Sequence, residues 1–398
     1  MPAPGPLRVM ATATLVNTFG NGLFYTSAAL FYTRSVGLSP HEVGLGLTLA
    51  GLAGLLVGVP VGHLADLRGA RELLVVILLL EAAAMASLLL VDSFPTFLLV
   101  ITAYLCVDKA ANAVRQGLIA NAFLPEERVR GRAYLRSVTN VGIGAGSALA
   151  GLAIAADTRA AYVALILGDA VTYVFAAAVL ARLPRTVPRT TPHEGGMLIA
   201  LKDRPFVAVT ALASLLSMHY VVLEIAVPLW VDRHTDAPTW TVALLFLLNT
   251  AVCVLFQVRA SRGSVDVPSS ARANRTGALL LGASCVVFAA SDGLGPAAAV
   301  VVLVVAALVN VAGELFQASG SWGLGFGLAR DDHQSQYQGL YSTGFATSQM
   351  LGPVVVTATC VSLGRPGWLL LGALFVASGA ALVPVSAWAE RSRSLSPV

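Results

Sequence analysis

The chain has 398 residues with a formal charge of +4, of which 57% are hydrophobic and only 12% charged, against about a quarter charged in an ordinary soluble domain. Its mean hydropathy is +0.78. So few charges cannot coat two or three soluble domains, and so much apolar surface excludes a disordered chain, which leaves a multi-pass membrane protein.

Apolar runs fall at about 9–33, 42–63, 72–91, 95–121, 135–156, 160–182, 205–231, 239–259, 275–292, 296–322, 339–363 and 366–389, twelve in all. Each is close to the roughly 20 residues a helix needs to cross a bilayer. Barrel strands alternate polar and apolar over about ten residues; these runs are continuous, so the expected fold is all-α with twelve transmembrane helices. The first run is too long for the apolar part of a secretory signal, and no convincing cleavage site closes it, so it is expected to be retained.

The Pro-, Thr- and Gly-rich stretch at 184–204 divides the runs six and six. The expected organisation is an N-terminal six-helix bundle (1–183), a cytoplasmic linker (184–204) and a C-terminal six-helix bundle (205–398) with a short cytoplasmic tail. If the N-terminus is cytoplasmic, nineteen of the 25 basic residues fall in inner segments, four in outer ones (Arg34, Arg159, Arg233, Arg365) and two, Lys109 and Arg115, inside a span. Basic residues collect on the cytoplasmic side, so both termini are expected there. The same sorting removes the case for nucleic acid that a pI near 9.0 would otherwise make. The Arg, Ala, Gly and Val excess suggests a GC-rich bacterial gene, hence a bacterial plasma membrane.

The four cysteines, Cys106, Cys253, Cys285 and Cys360, each lie inside an apolar run. With no CxxC and no Cys/His cluster they read as small buried side chains, and neither a metal nor a cofactor is expected. No GxxxxGK[ST], HExxH or GxSxG occurs and no loop exceeds about 20 residues, which argues against an enzyme.

The halves carry a faint repeat. Glu126-Glu127 precedes Gly146-Ser147 much as Asp331-Asp332 precedes Gly352-Pro353, and parallel repeats are one known transporter plan. The loop Gly62-His-Leu-Ala-Asp66-Leu-Arg68-Gly69-Ala-Arg71 resembles the signature of the major facilitator superfamily, with Leu67 and Ala70 where basic residues are usual. Within that superfamily GELFQ at 313–317 and YQGLY at 337–341 resemble the bacterial drug:H⁺ antiporter branch. So does Gly142-Ile-Gly-Ala-Gly146-Ser147-Ala-Leu-Ala150-Gly151, similar to GxxxGPxxGG with Ser147 in the proline position; Gly352-Pro353 keeps the Gly-Pro pair in the other half. The resemblance implies two six-helix bundles around a central cavity that opens to each side in turn, with the first, fourth, seventh and tenth helices lining it. Independently of the name, the loop glycines permit a tight turn. Asp66 can face a helix N-terminus or an arginine of the other bundle. Gly62, Asp66, Gly69, Arg71, Gly142, Gly146, Gly352 and Pro353 are therefore the candidate gating residues.

Ionisable groups inside a bilayer are costly and usually functional. Five acids lie within spans: Glu81, Asp108, Asp169, Glu224 and Glu314. Asp108, Asn112 and Arg115 share one helical face, and Arg115-Gln-Gly117 loosely resembles the antiporters' RxxQG segment. Asn310, Glu314, Gln317 and Ser321 make the cleanest polar stripe in the chain. Glu314 and Asp108 are the leading proton-coupling candidates, with Arg115 as charge partner. Tyr220 and Glu224 share a face, where a buried acid would attract a cation; Asn17, Asn21 and Tyr25 form a neutral stripe. With Asn112, Asn310 and Gln317 they complete the substrate-cavity candidates. Glu81 and Asp169 lie on helices peripheral in the family and are expected to pair structurally. The expected function is proton-coupled efflux of a small amphipathic or cationic compound by a monomer whose partners are protons, substrate and lipid. An importer or uniporter of a small metabolite is the alternative.

Overall fold

The computed structural model describes residues 5–156, 158–185 and 198–394. Most of the expected linker, 186–197, lies outside the described residues.

The described chain is helical throughout, without strands. In order the helices are α1 (Pro6–Leu30), α2 (Pro40–Leu55), α3 (Gly58–Arg68), α4 (Ala70–Leu90), α5 (Phe94–Ala122), α6 (Pro125–Ala156), α7 (Arg159–Leu180), α8 (Arg204–His234), α9 (Trp240–Gly263), α10 (Val267–Ala289), α11 (Pro296–Gly327), α12 (Asp331–Ser362) and α13 (Arg365–Arg393). Among the described residues eight are long and apolar enough to cross a membrane, and the bent pair α2–α3 makes a ninth. Helices α1, α6 and α10 cover the remaining expected runs. The last two begin earlier than expected because their first turns are charged or polar: Pro125-Glu126-Glu127 opens α6, and Asp266 caps α10.

Local chemistry places the ends. Proline occupies the first turn of α1, α2, α5, α8, α10 and α11, where its missing N–H costs nothing. Ser39 caps α2, accepting from the Glu42 N–H while the Glu42 carboxylate accepts from the Ser39 N–H at 2.8 Å, a reciprocal capping box. The 44° bend between α2 and α3 falls at Leu56–Val57, four residues before Pro60, whose ring collides with the Leu56 carbonyl. Gly69 ends α3 at φ +94, a conformation L side chains avoid.

The helices gather into two compact units. One comprises Met1–Leu124, Tyr134–Ile199 and Arg330–Thr343; the other Pro125–Ala133, Ala200–Ala329 and Gly344–Val398. The heads of α6 and α12 therefore pack with the unit that their chain position would not suggest. In the first unit α1 packs on α7, α4 on both α7 and α5, and α2 on α5. A side chain at Gly146 would strike the Phe19 carbonyl, so α1 and α6 meet backbone to backbone there. In the second unit α10 packs between α11 and α13. The Arg132 guanidinium lies over the Trp322 ring, 5.4 Å from its centroid, which docks the head of α6 on α11. Long side chains such as Leu99, Leu247, Leu255 and Val354 point outward, as helices facing lipid require.

Candidate functional site

In the first unit α1, α4, α5 and α7 bring together a cluster of ionisable and polar side chains. Asp108 pairs with Lys109, Nζ to Oδ2 at 2.9 Å, both part-exposed. The expected partner Arg115 instead faces inward. Its charge acts on Glu81 of α4, and it lines a cavity of about 20 Å³ with Asn17, Thr14 and Leu74, about the size of one water. Lys109 takes Asp108 because it is adjacent and flexible, whereas Arg115 lies two turns away. Asn112 accepts from Gln116 at 3.2 Å, along its own helix.

Glu81 and Asp169 occupy the middle of this cluster. They are only 2% and 0% exposed. Asp169 Oδ1 accepts from the Thr172 hydroxyl at 3.2 Å and lies against Gly20, where a side chain would collide with it. Three polar atoms here are buried without a hydrogen-bond partner: Glu81 Oε2, Asp169 Oδ2 and Asn17 Oδ1. The Tyr173 hydroxyl donates to Asn21 Oδ1 at 3.0 Å, meets the Tyr104 hydroxyl at 3.1 Å, and also hydrogen-bonds Glu81. Of the neutral stripe on α1, Asn17 and Asn21 thus serve the interior of the unit, while Tyr25 is 53% exposed. Structural pairing was expected for Glu81 and Asp169 from their peripheral helices; both acids face the interior of the unit, with Tyr173 and Thr172 as hydrogen-bond partners. A signal for this existed. Glu81 shares its face with the buried Leu74, Ile77, Leu78 and Met85, and Asp169 with Leu165, Ile166 and Tyr173.

In the second unit Glu314 is 5% exposed. Asn249 Nδ2 donates to its Oε2 at 3.0 Å and the Cys253 thiol to its Oε1 at 3.6 Å, both from α9. Asn249 was not singled out from the sequence, and Cys253 only as a small buried side chain. The rest of the polar stripe turns to α10. Asn310 donates to Ser284 at 3.2 Å, and Gln317 to Ser321 at 2.9 Å, which donates in turn to Asn274 at 3.1 Å. One stripe thus serves two helix interfaces. Glu224 departs from the sequence reading more sharply. It is exposed, not buried, because residues 222–226 form a π turn that rotates it outward. The π turn ends just before Pro228, which has no N–H for the Glu224 carbonyl. Tyr220 packs on Phe345, ring centroids 5.7 Å apart.

The gating candidates fall into three places. Asp66 accepts the Ser335 and Gln336 N–H groups at 2.9 Å each, at the head of α12, so the helix N-terminus, one of the two expected partners, is in place. The close approach requires Gly62, since a side chain there would meet the Ser335 carbonyl. Arg71 binds Glu72 and the Ala181 carbonyl. Beside Asp66 lies a cavity of about 420 Å³ lined by Gly69, Asn121, Arg185, Asp331 and Asp332 among others. Gly142 and Gly146 sit on the seam with α1, where the Ser147 hydroxyl donates to the Gly22 carbonyl at 3.4 Å. Gly352 abuts Val221, and Pro353 lies inside α12 before the π turn at Thr357–Ser362.

The Major Facilitator Superfamily profile matches residues 10–353. The chain belongs to the Major Facilitator Superfamily. It is a multi-pass membrane protein and a transporter of small molecules. No curated protein sequence matches it significantly. Solved structures share the transporter's fold. A bacterial homologue of the iron transporter ferroportin in an outward-facing state superposes with TM-score 0.73 at 15% identity, covering 97% of this chain and 99% of its own. The human organic anion transporter MFSD10 (TETRAN) gives 0.70 at 14%, covering 94% and 98%. The proton:xylose symporter XylE gives 0.67 at 11%, covering 94% of each.

Proposed function

We propose that the transporter is a proton-coupled exporter of a small amphipathic or cationic compound. It crosses the plasma membrane of a bacterium twelve times with both termini in the cytoplasm, and works as a monomer by alternating access. Helices α1, α6 and α10 supply the three further crossings; their polar heads extend beyond the apolar part of the helix.

The observation that carries this reading is the cluster in the first unit of two buried carboxyls, Glu81 and Asp169, with the part-exposed Asp108, Lys109 and Arg115 among apolar helices. Ionisable groups at such depth mark ion pathways, and an excess of carboxyls favours protons and organic cations over anions. The fold neighbours include transporters of iron, organic anions and sugar, so they support transport without favouring a cargo. Asp108 and Arg115 are the proposed coupling groups of the first unit and Glu314 that of the second. Asn17, Asn21, Tyr25, Asn112, Tyr220, Glu224, Asn310 and Gln317 stand as substrate-binding proposals. The Asp66 cap on α12 is proposed as a gate, since a bond of this kind, made in one state only, biases the equilibrium between states.

The test is uptake of lipophilic cations into inverted membrane vesicles with and without an imposed pH gradient. Gradient-driven uptake that Asp108→Asn abolishes supports coupling through α5. Uptake indifferent to the gradient removes proton coupling. Reporter fusions at the ends of α1, α6 and α10 test the twelve crossings.

A further inference from the structure

Charge collects at the corner where α9 turns into α10. From Arg259 to Arg275 the sequence holds four arginines, Arg259, Arg262, Arg272 and Arg275, against one acid, Asp266. That acid is occupied, since it caps α10 by accepting the Ser269 N–H at 2.7 Å. All four arginines are exposed, and among the described residues none of them forms an ion pair. Arg272 Nε donates to the Pro268 carbonyl at 3.3 Å on its own helix, which leaves its terminal nitrogens open. Arginines of other polar segments are used by the protein itself: Arg71 pairs with Glu72 at 3.1 Å, Arg330 with Asp332 at 3.5 Å and Arg393 with Asp203 at 2.9 Å.

The four arginines are aligned with the outward side of both helices. On α10 the exposed positions Arg272, Arg275, Leu279, Ala283 and Val286 recur at helical spacing and make one stripe, while Gly277 and Gly282, on other faces, abut α11 and α13. The stripe begins with two cations and continues apolar. Arg275 to Val286 spans about 16 Å of helix, close to half the roughly 30 Å hydrocarbon core of a bilayer. On α9 the exposed Leu247, Ala251 and Leu255 lead along a second stripe to Arg259 and Arg262 at the same corner. The connector, residues 264–266, holds the two helix ends within about 14 Å of each other. Positive-inside sorting explains arginines in a loop; it does not put them at the head of two apolar, outward stripes.

We propose that the α9–α10 corner binds an anionic phospholipid. The guanidinium groups of Arg259, Arg262, Arg272 and Arg275 take the phosphate oxygens, which match their planar forks, and the acyl chains lie along the stripes of α9 and α10. A zwitterionic headgroup carries its own ammonium, which the same four cations repel, so a net-negative headgroup is preferred. This site rests on the membrane-spanning fold alone, and neither the cargo nor proton coupling enters it.

The test is native mass spectrometry of the full-length protein in detergent, with phosphatidylglycerol or phosphatidylcholine of the same acyl chains added at equal concentration. The expected result is retention of phosphatidylglycerol over phosphatidylcholine. Each basic residue is worth about fivefold in affinity for an anionic lipid surface. Arg272→Gln together with Arg275→Gln should therefore weaken phosphatidylglycerol binding about 25-fold, and changing all four arginines to Gln should erase the preference. Changing four other exposed cations, Arg8, Arg130, Arg182 and Lys202, to Gln removes the same charge and should leave the preference in place. Equal loss from both sets would show a diffuse charge effect and overturn the site. The double variant keeps two of the arginines and carries the test should the fourfold variant fail to insert. Inorganic phosphate should not displace the lipid; displacement would leave an anion site without acyl contacts and overturn the proposal, as would equal binding of the two lipids.

Discussion

The two units treat a buried carboxyl in opposite ways. In the second, Glu314 meets neutral donors, an amide at 3.0 Å and a thiol at 3.6 Å, both from one neighbouring helix. In the first, Glu81 meets the Tyr173 hydroxyl and Asp169 the Thr172 hydroxyl, yet each keeps an oxygen without a hydrogen-bond partner, and the charge of Arg115 acts on Glu81. All three are carboxyls no more than 5% exposed. What differs is whether packing supplies neutral donors to both oxygens of a carboxyl or leaves one oxygen of it buried without a donor.

The largest effect that would sharpen this contrast comes from Arg115→Leu. Removing this partly buried cation, whose charge acts on the buried Glu81, costs about 3 kcal/mol, read as a lowered melting temperature of the detergent-solubilised protein at neutral pH. The loss should shrink on acidification as Glu81 takes up a proton. A variant as stable as the parent at all pH values would show that Arg115 compensates nothing.

Within the first unit, Asp66→Ala removes two charge-assisted bonds to the head of α12, about 3 kcal/mol locally. Hydrogen exchange at the Ser335 and Gln336 amides should quicken while that at Tyr173 stays slow. In the second unit, Asn249→Leu takes away one neutral donor from Glu314 and is expected to cost about 2 kcal/mol, less than Arg115→Leu. If chemical denaturation ranks the two variants the other way round, the contrast between the units fails.

The smallest effect concerns a carboxylate outside the spans. Asp266 caps α10 by accepting the Ser269 N–H at 2.7 Å, and the Ser269 side-chain and backbone donors hold its carboxyl below the ordinary carboxylate range. Its contribution is complete above the unfolded value of about 3.9 and fades as the pH falls through the lower folded value. Asp266→Ala should therefore cost about 1 kcal/mol near neutral pH and nothing once the carboxyl is protonated. Asp266→Asn, a cap of similar quality, should lose the pH dependence and keep most of the stability.

The helical class and the facilitator resemblance were legible because they rest on local, additive quantities: apolar length, and glycines beside acids in a loop. The Asp66 contact was half legible, since a loop carboxylate suits either a helix N-terminus or an arginine and only the fold chooses. The carboxyl sites were less so. Asp108 and Arg115 share a helical face in sequence, yet the adjacent Lys109 takes the aspartate. Glu81 and Asp169 looked peripheral because their importance was inferred from the order of their helices along the chain. Glu224 was expected to be buried and is exposed because a π turn shifts helical phase, which neither the face shared with Tyr220 nor the hydropathy of 205–231 reveals.

By itself the sequence determined that this chain is a helical membrane protein, where its apolar runs lie and which few ionisable groups are placed inside them. Those properties follow from composition summed along short windows. Which acids turn inward, which find donors for both oxygens and which keep an oxygen without one was decided only by the tertiary structure. That outcome depends on the rotation of each helix about its own axis, which a glycine seam such as Gly22 against Gly146 sets through contacts more than a hundred residues apart.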